Sequence, residues 1–229
     1  MGTSMEAHTA KILLIDKPAG ITSFDVIRVL RRRLGPLKMG HAGTLDPFAT
    51  GLLLVGVGDG THQLKNLIGL PKTYDAEVLL GVSTTTGDPD GKVVEEKSVS
   101  ELDLEAVKKE MARLVGVHSL PVPRYSAIKV AGTRLYKLAR EGRSVALPVK
   151  TMEVRAVQIL GTEHVGGHVI LHLTLEVTSG TYIRSIAEEL GKRLGYPASL
   201  RALRRTRVGS YRVEDAESLE LQEYAAFRK

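Results

Sequence analysis

Cysteine is absent from all 229 residues. Disulfides and thiolate metal sites are therefore excluded, nothing marks an oxidising compartment, and the expected location is the cytoplasm. Tryptophan is absent as well and aromatics make up only 4%, so the seven tyrosines stand out individually. No apolar run approaches the ~18 residues of a membrane span; the longest, around Leu52–Val55, is strand-sized. The opening MGTSMEAHTA lacks both the apolar core of a secretory signal and the arginines of a transit peptide. The seven histidines show no zinc-like spacing, and no metal or cofactor is expected. What is present suits a packed globular chain: hydrophobic residues reach 43%, and a chain this long buries roughly 70% or more of its unfolded surface.

Acidic residues are missing from two stretches. Residues 28–38 hold Arg28, Arg31, Arg32, Arg33 and Lys38, and Lys192 to Arg212 hold Lys192, Arg193, Arg201, Arg204, Arg205, Arg207 and Arg212, with no Asp or Glu in either. One such stretch reads as a solvated helix face; two in a chain of net charge +6 point to a polyanion. Arg204 and Arg205 are accordingly expected at phosphates.

The apolar pattern predicts a strand at Lys11–Ile15, then a helix capped by Thr22 or Ser23, with Val26, Ile27, Leu30 and Leu34 at helical spacing and Gly35-Pro36 as its stop. Gly40–Thr50 reads as a loop and Leu52–Val57 as a strand. Tyr74–Leu80 alternates as a strand does, and Gly87–Gly91 is a turn by composition. A helix is expected over Leu104–Val115. An irregular basic excursion follows over 121–148, with a short helical piece near Leu135–Arg140. Val154–Leu160 and Val169–Val177 read as strands joined at Gly166-Gly167, and a last helix runs from Ile183 to Leu194. Close strand neighbours favour an α+β fold: a mixed, largely antiparallel sheet flanked by helices. No repeat, linker or internal boundary is visible, so residues 1–229 read as a single domain.

Two segments could carry chemistry. In Gly40-His41-Ala42-Gly43-Thr44-Leu45-Asp46-Pro47, glycines flank an imidazole, and a carboxylate is held extended by the proline after it. Asp46 there either caps a turn or presents a reactive carboxylate. In Thr178–Arg184, an extended backbone would set Tyr182 and Arg184 on one side, an aromatic face beside a guanidinium. Tyr74 offers another ring. Gly56-Val57-Gly58-Asp59-Gly60 hints at a dinucleotide loop, but Thr61 stands where its last glycine belongs. Asp88 and Asp90 sit in a plain turn.

Taken together, these segments resemble the TruB family of tRNA pseudouridine synthases. The likeness runs over roughly residues 11–210 in the family's order: Leu14–Gly20, GHAGTLDPFATGLLLVGVG, Lys72-Thr73-Tyr74, Arg124–Lys129 with Leu135-Tyr136, Gly180–Ser185, and Leu203-Arg204-Arg205. The resemblance implies isomerisation of uridine 55 in the T loop of tRNA by base flipping, without metal or cofactor. It implies Asp46 as the catalytic group, His41 against the RNA, and Tyr74 stacked on the flipped base. Tyr182, Arg184 and Leu203 would complete the pocket, with Arg184 paired to Asp46, and Lys17 would support the catalytic loop. The 121–148 excursion would be an RNA-gripping thumb. The chain ends at Lys229, where many family members continue into a small RNA-binding domain, so no separate C-terminal domain is expected. The expected partner is the tRNA T stem-loop, met by a monomer without an obligate protein partner and without a membrane.

Overall fold

The computed structural model describes residues 11–219; the readings of the first ten residues and of the stop at Lys229 lie outside the described residues. The chain forms β1 (Lys11–Lys17), α1 (Ser23–Leu34), β2 (Met39–Ala42), β3 (Thr50–Val57), a 3₁₀ turn (Gly58–Gln63), α2 (Leu64–Ile68), β4 (Lys72–Leu80), β5 (Val82–Thr84) and β6 (Val93–Glu96). It continues as α3 (Leu104–Leu114), β7 (Gly116–Pro121), β8 (Lys129–Val130), β9 (Thr133–Arg134), α4 (Leu135–Arg140), β10 (Val149–Val165), β11 (His168–Val177), α5 (Ile183–Leu194), β12 (Ala198–Val208), β13 (Tyr211–Arg212) and β14 (Glu217–Ser218). Strand pairing is mixed and largely antiparallel, the α+β class expected from the pattern.

Two compact units result, one up to Lys72 and again from Arg204, the other Thr73–Leu203. The sequence predicts a single domain over residues 1–229. No boundary shows because no linker makes one: the first unit draws on both ends of the chain, and β12 passes from one unit to the other without interruption.

In the first unit the strand order is β14-β1-β3-β12, with β2 also on β3 and β13 on β12. β1 and β3 pair antiparallel from Lys11↔Val57 to Lys17↔Gly51, whereas β12 joins β3 parallel, placing Arg205 opposite Gly51. β3 reads as a continuous apolar run because both its faces are covered. Leu53, Val55 and Val57 pack with Val26, Ile27 and Leu30 of α1, while Leu52 and Leu54 pack with Leu67, Val208 and Val213. Thr22 caps α1 in a reciprocal box with Asp25, which leaves Ser23 for another task. The glycines after β3 serve packing, not a nucleotide: a Cβ on Gly60 would stand 2.4 Å from the Lys11 carbonyl oxygen. The expected loop over Gly40–Thr50 is shorter than read, since Met39–Ala42 pairs with β3 as β2 and only residues 43–49 remain irregular.

In the second unit β4, β11, β10 and β7 follow one another, with the first residues of β12 beside β4. β10 and β11 form a long hairpin turned at Gly166-Gly167, and β7 pairs antiparallel with β10. Between β7 and β10 the excursion carries a small β8–β9 hairpin and α4, whose bounds coincide with the helical piece expected there.

Candidate active site

The loop between β2 and β3 is bound on both sides of Asp46. Ser23, buried at the first turn of α1, accepts from the Leu45 amide at 2.9 Å and donates to the Leu45 carbonyl at 3.2 Å through the same hydroxyl. On the other side, the Pro47 carbonyl accepts from the Gly20 amide at 2.8 Å and from Lys17 Nζ at 3.2 Å. Lys17 is 0% exposed and spends its other donors on the carbonyls of Pro18 and Ile21, both at 2.8 Å. Within the loop the Ala49 amide closes a turn onto the Asp46 carbonyl. The half-buried Asp46 therefore stands on a backbone that is hydrogen-bonded on both sides of it.

Arg205 supplies the third anchor. It is only 1% exposed, and its guanidinium donates to the carbonyls of Leu52 (2.8 Å), Gly43 (3.0 Å) and Thr44 (3.5 Å). Gly51 makes this possible: its φ is +103°, and a Cβ there would stand 2.3 Å from the Arg205 carbonyl oxygen. The phosphate role expected for Arg205 is therefore corrected: a guanidinium spent on buried carbonyls cannot serve RNA. Arg204 is committed too, gripping both Asp16 carboxylate oxygens at 3.1 and 2.6 Å.

Three buried cations thus surround one loop, and Lys72, which donates to the carbonyls of Ile68 and Leu70, is the third. Burial depresses His41, and Arg205 adds to the drop, so the ring is neutral at pH 7; its Nδ1 is buried without a hydrogen-bond partner. Burial also pushes Lys17 and Lys72 down to about 8. Arg205 reinforces this for both, and the Asp46 carboxylate opposes it at Lys17.

A stability consequence follows. The unfolded chain holds these two protons up to the ordinary 10.5, so between pH 8 and 10.5 it binds more protons than the folded chain. Stability therefore rises with pH in that window, by up to about 1.4 kcal/mol per pH unit for each group, and below pH 8 the full cost of burying the charges applies. Urea unfolding of the parent and of Lys72→Met from pH 7 to 9.5 should show the parent gaining on the variant above pH 8. Parallel pH curves would contradict the burial effect.

The second unit holds the remaining expected residues: Tyr74 on β4, Tyr182 at the entrance of α5, Arg184 within α5 and Leu203 on β12. All but the half-buried Tyr182 are buried. The 178–184 run is not extended throughout, because α5 begins at Ile183; Tyr182 keeps an extended backbone as the residue before it, and Arg184 leaves from the helix. Arg184 donates to the carbonyls of Thr86 (2.8 Å) and Tyr125 (3.1 Å) and lies 3.3 Å from the Asp88 carboxylate. The turn reading of Asp88 was correct but incomplete: its carboxylate is buried against a guanidinium. Lys150 donates to the Gly180 carbonyl at 3.0 Å, with its ammonium 5.7 Å from the Tyr182 ring centre. Among the described residues, no group of three or more His, Asp or Glu side chains could hold a metal ion, and no helix is long and apolar enough to cross a membrane.

Known proteins share this architecture. A chain in the structure of an H/ACA ribonucleoprotein bound to a substrate RNA containing 2′-deoxyuridine matches it with TM-score 0.66 and 26% identity, over 97% of this chain and 55% of that one. A chain of a Cbf5–Nop10–Gar1 complex matches with TM-score 0.70 and 27% identity, over 97% and 56%. The chain thus spans about half the length of those two. The fold, then, is shared with a chain of a ribonucleoprotein bound to a substrate RNA, and here it carries a single carboxylate on a cation-lined loop.

Residues 31–183 match the family model described as TruB family pseudouridylate synthase (N terminal domain), and the chain belongs to that family. The tRNA pseudouridine synthase B of Corynebacterium efficiens is 44% identical over 215 residues, covering 93% of this chain and 72% of that protein. That of Thermobifida fusca is 44% identical over 214 residues (91% and 73%), and that of Mycobacterium tuberculosis 41% over 216 residues (94% and 72%).

Proposed function

We propose that this pseudouridine synthase acts on tRNA, isomerising uridine 55 of the T loop, with Asp46 as the catalytic group. The observation that carries the reading is the fixed frame around Asp46: Ser23 holds Leu45, Lys17 and Gly20 hold Pro47, and Arg205 holds Gly43 and Thr44. Relatives named tRNA pseudouridine synthase B support the choice of RNA.

The reaction breaks the bond from C1′ to N1, turns the uracil, and joins C1′ to C5. N1 gains a proton and the C5 hydrogen leaves as a proton, so nothing is consumed and no redox change occurs. The chemistry needs charge at the sugar, a pocket that keeps the detached base, and an acceptor for the C5 proton. Asp46 supplies the first. Tyr74, Tyr182 and Leu203 face the base, Arg184 orients the polar groups, and neutral His41 lies against the RNA. Extruding the base costs on the order of a few kcal/mol, offset by stacking and phosphate contacts, with the 121–148 excursion closing on the RNA. The protein acts alone, as a monomer in the cytoplasm.

The test is tritium release from tRNA transcribed with 5-³H-uridine, in EDTA and without added cofactor. The expected result is one equivalent released per tRNA, lost when the T-loop uridine is replaced by cytidine. Release that survives this replacement would move the target elsewhere in the RNA. No release from an RNA that still binds would make the protein an RNA-folding factor.

A further inference from the structure

The two acid-free basic stretches have different fates in the fold. Of the seven cations from Lys192 to Arg212, five are engaged within their own unit. Arg193 pairs with Glu189, Arg201 lies by Glu77, Arg204 grips Asp16, Arg205 is buried on carbonyls, and Arg212 pairs with Glu214. The five cations of the 28–38 stretch are all exposed, with Arg28 paired to Asp25 and Arg33 to Glu217. The inner face of α1 is apolar and buried, and its outer face carries Phe24, Arg28 and Arg31, one above the other at intervals of four and three residues, with Lys38 exposed beyond the helix. Phe24 is 50% exposed on the solvent side of the helix. The Arg28 guanidinium stands 5.0 Å from its ring centre, steadied by Asp25 at 2.8 Å, while 58% of the Arg28 side chain remains in solvent.

We infer that this outer stripe of α1 binds the substrate RNA, with Arg31 and Lys38 on phosphates and the Phe24–Arg28 pair offering a stacking platform to an unpaired base. The inference rests on the proposed action on tRNA. Charge and shape both fit: a flat ring with a guanidinium over it suits a base, and cations further along suit its backbone. Position fits as well. Ser23, the first residue of α1, is bonded to Leu45 beside Asp46. Arg28 and Arg31 therefore lie only about 8 and about 12 Å further along the helix axis. Duplex nucleic acid carries about one charge per 1.7 Å of axis, so an RNA centred on Asp46 has several phosphates within that span.

The test compares tRNA binding over a salt series for the full chain, for Arg31→Glu/Lys38→Glu, and for Arg201→Glu/Arg212→Glu, which makes the same change in net charge. The first double variant should bind at least about tenfold more weakly at low salt, and its log–log salt slope should flatten by about 1.5, for two phosphates lost. The second should keep the parent slope. Phe24→Ala should weaken binding about five- to tenfold even at high salt, where stacking persists. Equal slopes for the two double variants would overturn the inference, as would an unaltered Phe24→Ala. Because binding is read without turnover, a protein showing this signature but releasing no tritium would sink the proposed reaction and leave the surface standing.

Discussion

Asp46→Asn is expected to lower tritium release by at least about 10³-fold while leaving a folded protein that still binds tRNA. The amide matches the carboxylate in shape but can neither attack the sugar nor take a proton from it, and loss of a single acid in a catalytic set costs this much or more. The fold should tolerate the change because the loop is held through backbone groups. Ser23 binds Leu45, Lys17 and Gly20 bind Pro47, and the Ala49 amide binds the Asp46 carbonyl, none of them through the Asp46 carboxylate. One local effect accompanies the loss: the carboxylate helps Lys17 keep its proton against burial, so the Lys17 pKa should fall further in the variant. A turnover loss matched by an equal loss of folded protein would show the carboxylate to be structural, and turnover within tenfold of the parent would remove it from the chemistry.

The second large effect belongs to a residue that touches no substrate. Arg205→Lys keeps the charge but not the fork. A lysine has one point of donation for three carbonyls that face different directions, and a buried carbonyl left without a donor costs about 1–3 kcal/mol. The loop carrying Asp46 would loosen, and displacement of a reacting group by about 1 Å can cost about 10² in rate. The variant should therefore lose about 10²-fold in kcat while KM and the salt slope of tRNA binding stay near the parent's. That split distinguishes a positioning residue from a phosphate contact, which would move KM and flatten the slope. Gly51→Ala attacks the same clamp from the other side. With φ at +103° and the Arg205 backbone in the way, it should cost roughly 2 kcal/mol or more and lower kcat with it. Unimpaired kcat in Arg205→Lys would show that the loop keeps its shape without the fork.

Much of the fold was legible wherever periodicity was clean. α1, α3 and α5 were announced by apolar positions at helical spacing, and the β10–β11 hairpin by alternation broken at Gly166-Gly167. β12 was not seen, because its buried residues do not alternate cleanly and include a charged one: Ala198, Ser199, Leu200, Leu203, Arg205 and Val208 are buried, and an arginine facing inward gives the same signal as one in solvent. The start of α5 at Ile183 was legible from the apolar spacing, although Tyr182 carries no side-chain cap to mark it, and the extended run considered for Thr178–Arg184 therefore overlaps the helix by two residues. Ser23 looked like an alternative cap for α1. Its true contact with Leu45 spans 22 residues and leaves no local trace.

The ordered motifs from Leu14 to Arg205 determined the family by themselves, because residues at those spacings specify the chemistry whatever their surroundings. They also marked Asp46 as the carboxylate to examine. Only the tertiary structure decided what each cation does. Arg205 faces Gly51 because β12 runs parallel to β3, and with no Cβ in the way its guanidinium meets the carbonyls of Gly43, Thr44 and Leu52. Arg31, identical as a letter, stands on the outer face of α1 in solvent. A positive charge in a sequence carries no record of whether acceptors await it inside; three-dimensional register alone brings them into reach.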